Sequence, residues 1–94
     1  MINNLKKPFL IAEAGINHNG SINQAIKMIN SAKKSGADAI KFQTYITDKR
    51  VKKNNPVYKI LKKCELTHED FEKIKIHCDK KKLYFFLHHL ILSR

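Results

Sequence analysis

Apolar residues along this chain follow two alternating rhythms. Residues 9–12, Phe-Leu-Ile-Ala, form an unbroken apolar run after Pro8. Such a run predicts a strand buried on both faces, as parallel sheets require. Side chains alternate along a strand, so Phe9, Ile11 and Glu13 share a face, and Glu13 ends the strand on the side of core residues. From Ile22 the spacing changes. Ile22, Ala25, Ile26, Ile29 and Ala32 recur at helical intervals, a stripe for packing on a sheet. Ser21 is placed to cap that helix, with Gln24 completing a capping box, and Lys33, Lys34 and Gly36 mark its end. Residues 37–44 return to strand rhythm. Ile40 and Phe42 would meet the helices, while Lys41 and Gln43 share the other face with Glu13. Strand, helix and strand with short connections predict a right-handed βαβ unit.

The second half continues the alternation. A basic loop over residues 49–56 leads to a short helix on Val57, Ile60, Leu61 and Cys64. Thr67 and Asp70 open a longer helix whose apolar side is Phe71, Ile74 and Cys78. Residues 83–87 read as a third strand, and residues 88–94 come after it with no helix to cover them. The expected fold class is therefore α/β, the start of a doubly wound sheet or of a barrel. Both fold types bind ligands at the carboxyl ends of their strands. Three parallel strands make a short core. The chain reads as about the first third of a larger unit, with exposed sheet edges that favour aggregation.

Composition sharpens this picture at a few points. Hydrophobic residues at 43% support a packed core across 94 residues, which argues against disorder. A formal net charge of +11, from 19 Lys and Arg against 8 Asp and Glu, would attract nucleic acid, anionic membrane or phosphorylated small molecules. The lysines are scattered over helix faces and the basic loop with few interleaved aromatics, so a dedicated nucleic-acid surface is disfavoured. Cys64 and Cys78 have no metal-ligand spacing and fall on apolar helix faces, which predicts buried free thiols. No run approaches the ~18 apolar residues of a membrane span, and no signal peptide is seen, so the expected setting is soluble, reducing and cytoplasmic.

Polar side chains at the ends of apolar strands violate packing logic, and that marks the candidate site. Lys41 could hold a phosphate or carboxylate, or form a Schiff base if burial lowered its pKa. Glu13 could position a hydroxyl or act as acid or base, and it could equally form an ion pair with Lys41. Gln43 lies on the same face. Asn17, His18 and Asn19, between Gly15 and Gly20, make a loop able to hydrogen-bond a polyol, to orient a metal-bound water or to serve only as a turn. Its glycine spacing is wrong for a dinucleotide fingerprint. His88 and His89 are adjacent on a strand, point to opposite faces, and do not chelate one ion together. His68 and His77 fall on helix surfaces.

These residues carry a resemblance. Residues 11–21, Ile-Ala-Glu-Ala-Gly-Ile-Asn-His-Asn-Gly-Ser, and residues 36–45, Gly-Ala-Asp-Ala-Ile-Lys-Phe-Gln-Thr-Tyr, with Ala25, Met28, Ile29, Ala32 and Lys33 between them, resemble the amino-terminal part of the sialic acid synthase family. Residues 61–67 with Phe71 and Ile74 extend the likeness. The family includes N-acetylneuraminate, legionaminate and pseudaminate synthases. The resemblance implies a (β/α)8 TIM barrel, entered here through about three β/α units, and a homodimer for the whole protein. It implies condensation of phosphoenolpyruvate with an N-acylated amino sugar such as N-acetylmannosamine, with a divalent metal (Mn or Mg) polarising the sugar aldehyde. C3 of phosphoenolpyruvate then attacks, water adds at C2 and phosphate leaves. By motif, Lys41 would contact phosphoenolpyruvate, Gln43 would lie near metal and sugar, and Glu13 would bind or orient reactants. Asn17 and His18 would shape the same mouth. The metal ligands are expected outside these 94 residues. The alternatives are another phosphoenolpyruvate-condensing barrel enzyme and a small basic nucleic-acid-binding module.

Residues 87–94 depart from the family, which has Ser/Thr-Pro-Phe-Asp after its third strand. The codons for His88 and His89, read one nucleotide earlier, can give Thr then Pro. The expectation is a frameshifted, non-native tail on a truncated barrel domain spanning residues 1–94, inactive by itself. Sequencing the coding DNA checks it: the family's later strands should continue in another frame, and their absence there contradicts the expectation.

Overall fold

A computed structural model describes residues 8–89. The elements run β1 (Ile11–Gly15), α1 (Ile22–Lys34), β2 (Ala39–Thr44), α2 (Thr47–Arg50), α3 (Tyr58–Cys64), α4 (His68–Lys80) and β3 (Tyr84–His89). The three strands form one parallel sheet in the order β1-β2-β3. Helices α1 and α4 lie together on one face of it. The core is the seam between them: Ile40 and Phe42 from β2 meet Ala25, Ile29 and Ala32 from α1 and Phe71, Ile74 and Cys78 from α4. The α/β class and both helical stripes were legible in the sequence.

Local chemistry explains where the helices start. Ser21 Oγ accepts the Gln24 N–H at 3.2 Å, so α1 is capped through that one bond. At α4 the box is complete, with Thr67 Oγ1 accepting from Asp70 N and Asp70 Oδ2 accepting from Thr67 N. Asp38 sets the strand register. Its carboxylate accepts the Leu10 N–H at 2.8 Å, and its carbonyl accepts the Tyr84 N–H at 3.0 Å. One residue thus aligns the amino ends of all three strands. A slip by one position would turn every side chain to the wrong face.

Three expectations need correcting. The first strand begins at Ile11, not Phe9, and it is not buried on both faces: Phe9, Leu10 and Ile11 are each about half exposed. Among the described residues nothing covers the sheet face opposite the helices, so Phe9 gains shelter only by tilting against Tyr84 across β2. Residues 49 and 50, read as the start of the basic loop, belong with Thr47 and Asp48 to the short helix α2. Its start is stabilised by a side chain 18 residues away, which no local pattern announces. The third strand runs through His88 and His89 and does not stop at residue 87. Residues 90–94 of the expected non-native tail lie outside the described residues.

Lys82 and Gly20 both sit at positive φ. Lys82 turns from α4 into β3 at φ +56, a left-handed conformation that disfavours a side chain. Gly20 sits at φ +77, and a Cβ there would overlap the Lys63 carbonyl oxygen. Lys82→Gly should therefore raise stability by roughly 0.5 kcal/mol, the strain relieved exceeding the entropy added to the unfolded chain. Gly20→Ala should lower it by about 2 kcal/mol or more, since φ and clash act together. Chemical denaturation of both variants checks the opposite signs.

Candidate functional site

Strand β2 splits its side chains cleanly. Ile40 and Phe42 are buried under the helices, while Lys41 and Gln43 project from the uncovered face and are only partly buried. Glu13 on β1 stands opposite Lys41 in the parallel register. Their side chains meet, with Lys41 Nζ 2.9 Å from Glu13 Oε1. On the other flank Phe86 of β3 stands opposite Lys41 and His88 opposite Gln43. The uncovered face therefore carries an ion pair at its centre, an amide and an imidazole one row nearer the carboxyl ends, and aromatic side chains below. The pair is open to water: 35% of the Lys41 side chain and 61% of the Glu13 side chain remain exposed. Exposed pairs are weak, so Lys41 can change partner at small cost.

Just after Glu13 the register shifts, and Ala14 turns into the core at a β-bulge. Gly15 comes next at φ +56 and lets the chain leave the sheet at once. Successive turns then carry the loop, with Asn17 N–H on the Ala14 carbonyl, Asn19 N–H on Ile16 and Ser21 N–H on His18. Asn17 and Asn19 are both exposed at its rim.

His18 goes elsewhere. It is fully buried, its ring 5.9 Å from that of Phe42, on the helix-covered side of the sheet. Its Nδ1 accepts the Gly20 N–H at 2.9 Å, so the neutral ring carries its proton on Nε2. Among the described residues that buried Nε2 has no hydrogen-bond partner. Burial holds the imidazole below its usual pKa, with Asp70 opposing weakly. The structure thus brings Glu13, Lys41 and Gln43 together on one face. Asn17 lies at the loop rim, and His18 braces that loop from behind.

A second cluster, missed in the sequence, fastens the chain beyond β2. Tyr45 O–H donates to the Leu61 carbonyl at 2.7 Å. The fully buried Thr47 donates both N–H and O–H to Glu65 Oε1, at 3.0 and 2.7 Å. Burial, with Cys64 and Glu65 nearby, pushes the Tyr45 phenol up to about 12, so it stays a donor. Partners this far apart along the chain leave no periodic signal. Cys64 and Cys78 are both free and buried, and burial pushes the Cys78 thiol up to about 11, which keeps it protonated and unreactive. Among the described residues no three His, Cys, Asp or Glu side chains gather as metal ligands would. No helix among them is long and apolar enough to cross a membrane.

Strand-end polar groups on a parallel α/β sheet define a class, and comparison with known proteins narrows it. The model of the NeuB family matches residues 28–88, and the chain belongs to that family. The N,N'-diacetyllegionaminic acid synthase of Legionella pneumophila is 45% identical across 66% of this chain and 21% of its own length. The pseudaminic acid synthase of Campylobacter jejuni is 60% identical across 46% of this chain and 12% of its own. The crystal structure of N-acetylneuraminic acid synthetase from Leptospira borgpetersenii, in complex with citrate, superposes with a TM-score of 0.84 at 36% identity. That match covers 93% of this chain and 30% of the other. The chain thus spans about a fifth of the length of the Legionella synthase.

Burial of neutral His18 has a pH signature. Its folded pKa lies below the 6.5 of an ordinary histidine, so the unfolded chain binds the extra proton first. Stability should be full above about pH 6.5 and fall as pH drops below it toward the folded pKa. Partly buried His77, lowered by burial and by Lys81 and Lys80, acts in the same direction. Thermal melts from pH 8 to 5 should show a declining Tm, with a shallower slope in His18→Asn.

Proposed function

We propose that the uncovered face of this sheet holds phosphoenolpyruvate, as one part of a sialic-acid-synthase-type condensation with an N-acylated amino sugar such as N-acetylmannosamine. The product would be a nine-carbon 2-keto sugar acid, with release of phosphate. The observation that carries this reading is the Glu13–Lys41 pair, at the centre of the uncovered face and open to water, with Gln43 one row nearer the carboxyl ends of the strands. Membership of the family and the synthases named among its relatives support it. The whole-protein architecture in this reading is a (β/α)8 barrel, of which β1, β2 and β3 are the first strands.

The chemistry derives from the pair. A phosphate or carboxylate arriving on this face competes with one carboxylate for one ammonium. A dianionic phosphate offers more charge than Glu13 does, so Lys41 should move to the ligand. Glu13, released, becomes an acceptor for a sugar hydroxyl. Gln43, on the same face, offers both a donor and an acceptor to a polar substrate. Asn17 at the rim adds another amide. In the whole protein a divalent ion, Mn or Mg, belongs to the proposed reaction, but the described residues do not assemble a site for it and no step here runs through it. A cytoplasmic setting, where thiols such as Cys64 and Cys78 remain reduced, suits this account.

Calorimetric titration of the chain with phosphoenolpyruvate tests the assignment. Lys41→Ala should remove binding. Glu13→Gln should tighten it about two-fold, because the competitor for the ammonium is lost and such a pair is worth roughly 0.5 kcal/mol. Undiminished binding by Lys41→Ala would contradict the reading. So would strongly salt-dependent binding to unrelated DNA that ignores Lys41, which would favour a basic nucleic-acid module instead.

A further inference from the structure

We propose that Glu65 is a positioning residue for the open-face site, acting through a joint at residues 61–65 that fastens the loops leaving both β1 and β2. This role rests on the anion-binding reading for its functional consequence, and on geometry alone for the joint. Three hydrogen bonds tie the exit of β2 to the joint: Tyr45 O–H to the Leu61 carbonyl, and Thr47 N–H and O–H to Glu65 Oε1. Helix α2 has no cap of its own, because Ile46 occupies that position without a hydrogen-bonding side chain. Glu65 supplies from across the fold what the local sequence lacks.

The same residues press on the loop from β1. The Lys63 carbonyl lies so close to Gly20 that no side chain fits there, and the Cys64 Sγ reaches Asn19 Oδ1 at 4.0 Å. One turn of chain therefore touches the segment two residues beyond Gln43 and the loop that begins two residues beyond Glu13. Glu65 is its one acidic member, with 23% of its side chain exposed, and Lys62 Nζ lies 3.8 Å away on the rim. Lys62 is shared with Asp48 of α2 at 3.2 Å, which closes the cluster on its outer side. Loss of the carboxylate leaves two donors on buried Thr47 without their acceptor. The relief available to them is movement of α2 away from the joint, and the β1 loop then loses its backing.

Amide hydrogen exchange of the full chain, paired with phosphoenolpyruvate titration, decides this. In Glu65→Ala, exchange should rise about tenfold at Thr47 and also at Asn19 and Ser21, while the Ile29 amide in the core keeps its protection. Phosphoenolpyruvate affinity should fall by about tenfold in the same variant. Glu65→Gln, whose Oε1 can accept the same two bonds, should stay within about three-fold of the parent in both readouts. If Glu65→Ala does not fold, Thr47→Val removes one donor, keeps the shape and is read the same way. A change confined to Thr47, or a folded Glu65→Ala chain that binds as the parent does, overturns the proposal. If the parent takes no phosphoenolpyruvate while Asn19 and Ser21 still respond, the anion-binding reading fails and the joint stands.

Discussion

The pairing of Glu13 with Lys41 depends on one alignment, and Asp38 holds it. Its carboxylate takes the Leu10 N–H and its carbonyl takes the Tyr84 N–H, so β1, β2 and β3 start in step. From that start, strict alternation delivers Lys41 to the face opposite Ile40 and Phe42, directly across from Glu13. Had the register slipped by one residue, the ammonium would lie under the helices and Phe42 in water. Burying that charge without a partner is far costlier than exposing the ring, so the core and the site enforce the same register.

This division of labour shapes the rest of the molecule. The helix-covered face is closed by apolar contact and by neutral His18, whose ring fills space beside Phe42. The opposite face keeps its charged pair hydrated and exchangeable. In the proposed function, stability and ligand chemistry occupy different sides of one sheet, and only the loops connect them. Those loops are irregular, with a bulge at Ala14 and left-handed residues at Gly15, Asn19 and Gly20. They depend on the turn at residues 61–65 for their shape.

Much of this was legible in the sequence because it arises from short periods. The stripes of α1 and α4, the alternation around Lys41 and the start signals at Ser21 and Thr67 all lie within a few residues of the features they determine. The placement of Glu13 beside Lys41 came from alternation in two strands taken together. The features that escaped notice depend on distant partners. Thr47 and Tyr45 look like ordinary loop residues until Glu65 and the Leu61 carbonyl come to meet them. His18 resembled a rim residue, since its Gly/Asn surroundings carry no hint that the turn folds back over Phe42. The half-exposed Phe9, Leu10 and Ile11 were misjudged for another reason: an apolar run reports what could be buried, and the described residues cover only one face.

The central claim is that Lys41 leaves Glu13 for an incoming anion. The most direct measurement tracks the lysine Nζ resonances by nitrogen-detected or proton–nitrogen NMR as phosphoenolpyruvate is added to the chain. The account predicts that the Lys41 ammonium shifts saturably and that the Glu13 carboxylate carbon moves with it. Lys52 and Lys53, in the exposed basic loop, should respond little and without saturation. A Lys41 signal that stays fixed, or a response shared evenly by all the exposed lysines, would contradict the account.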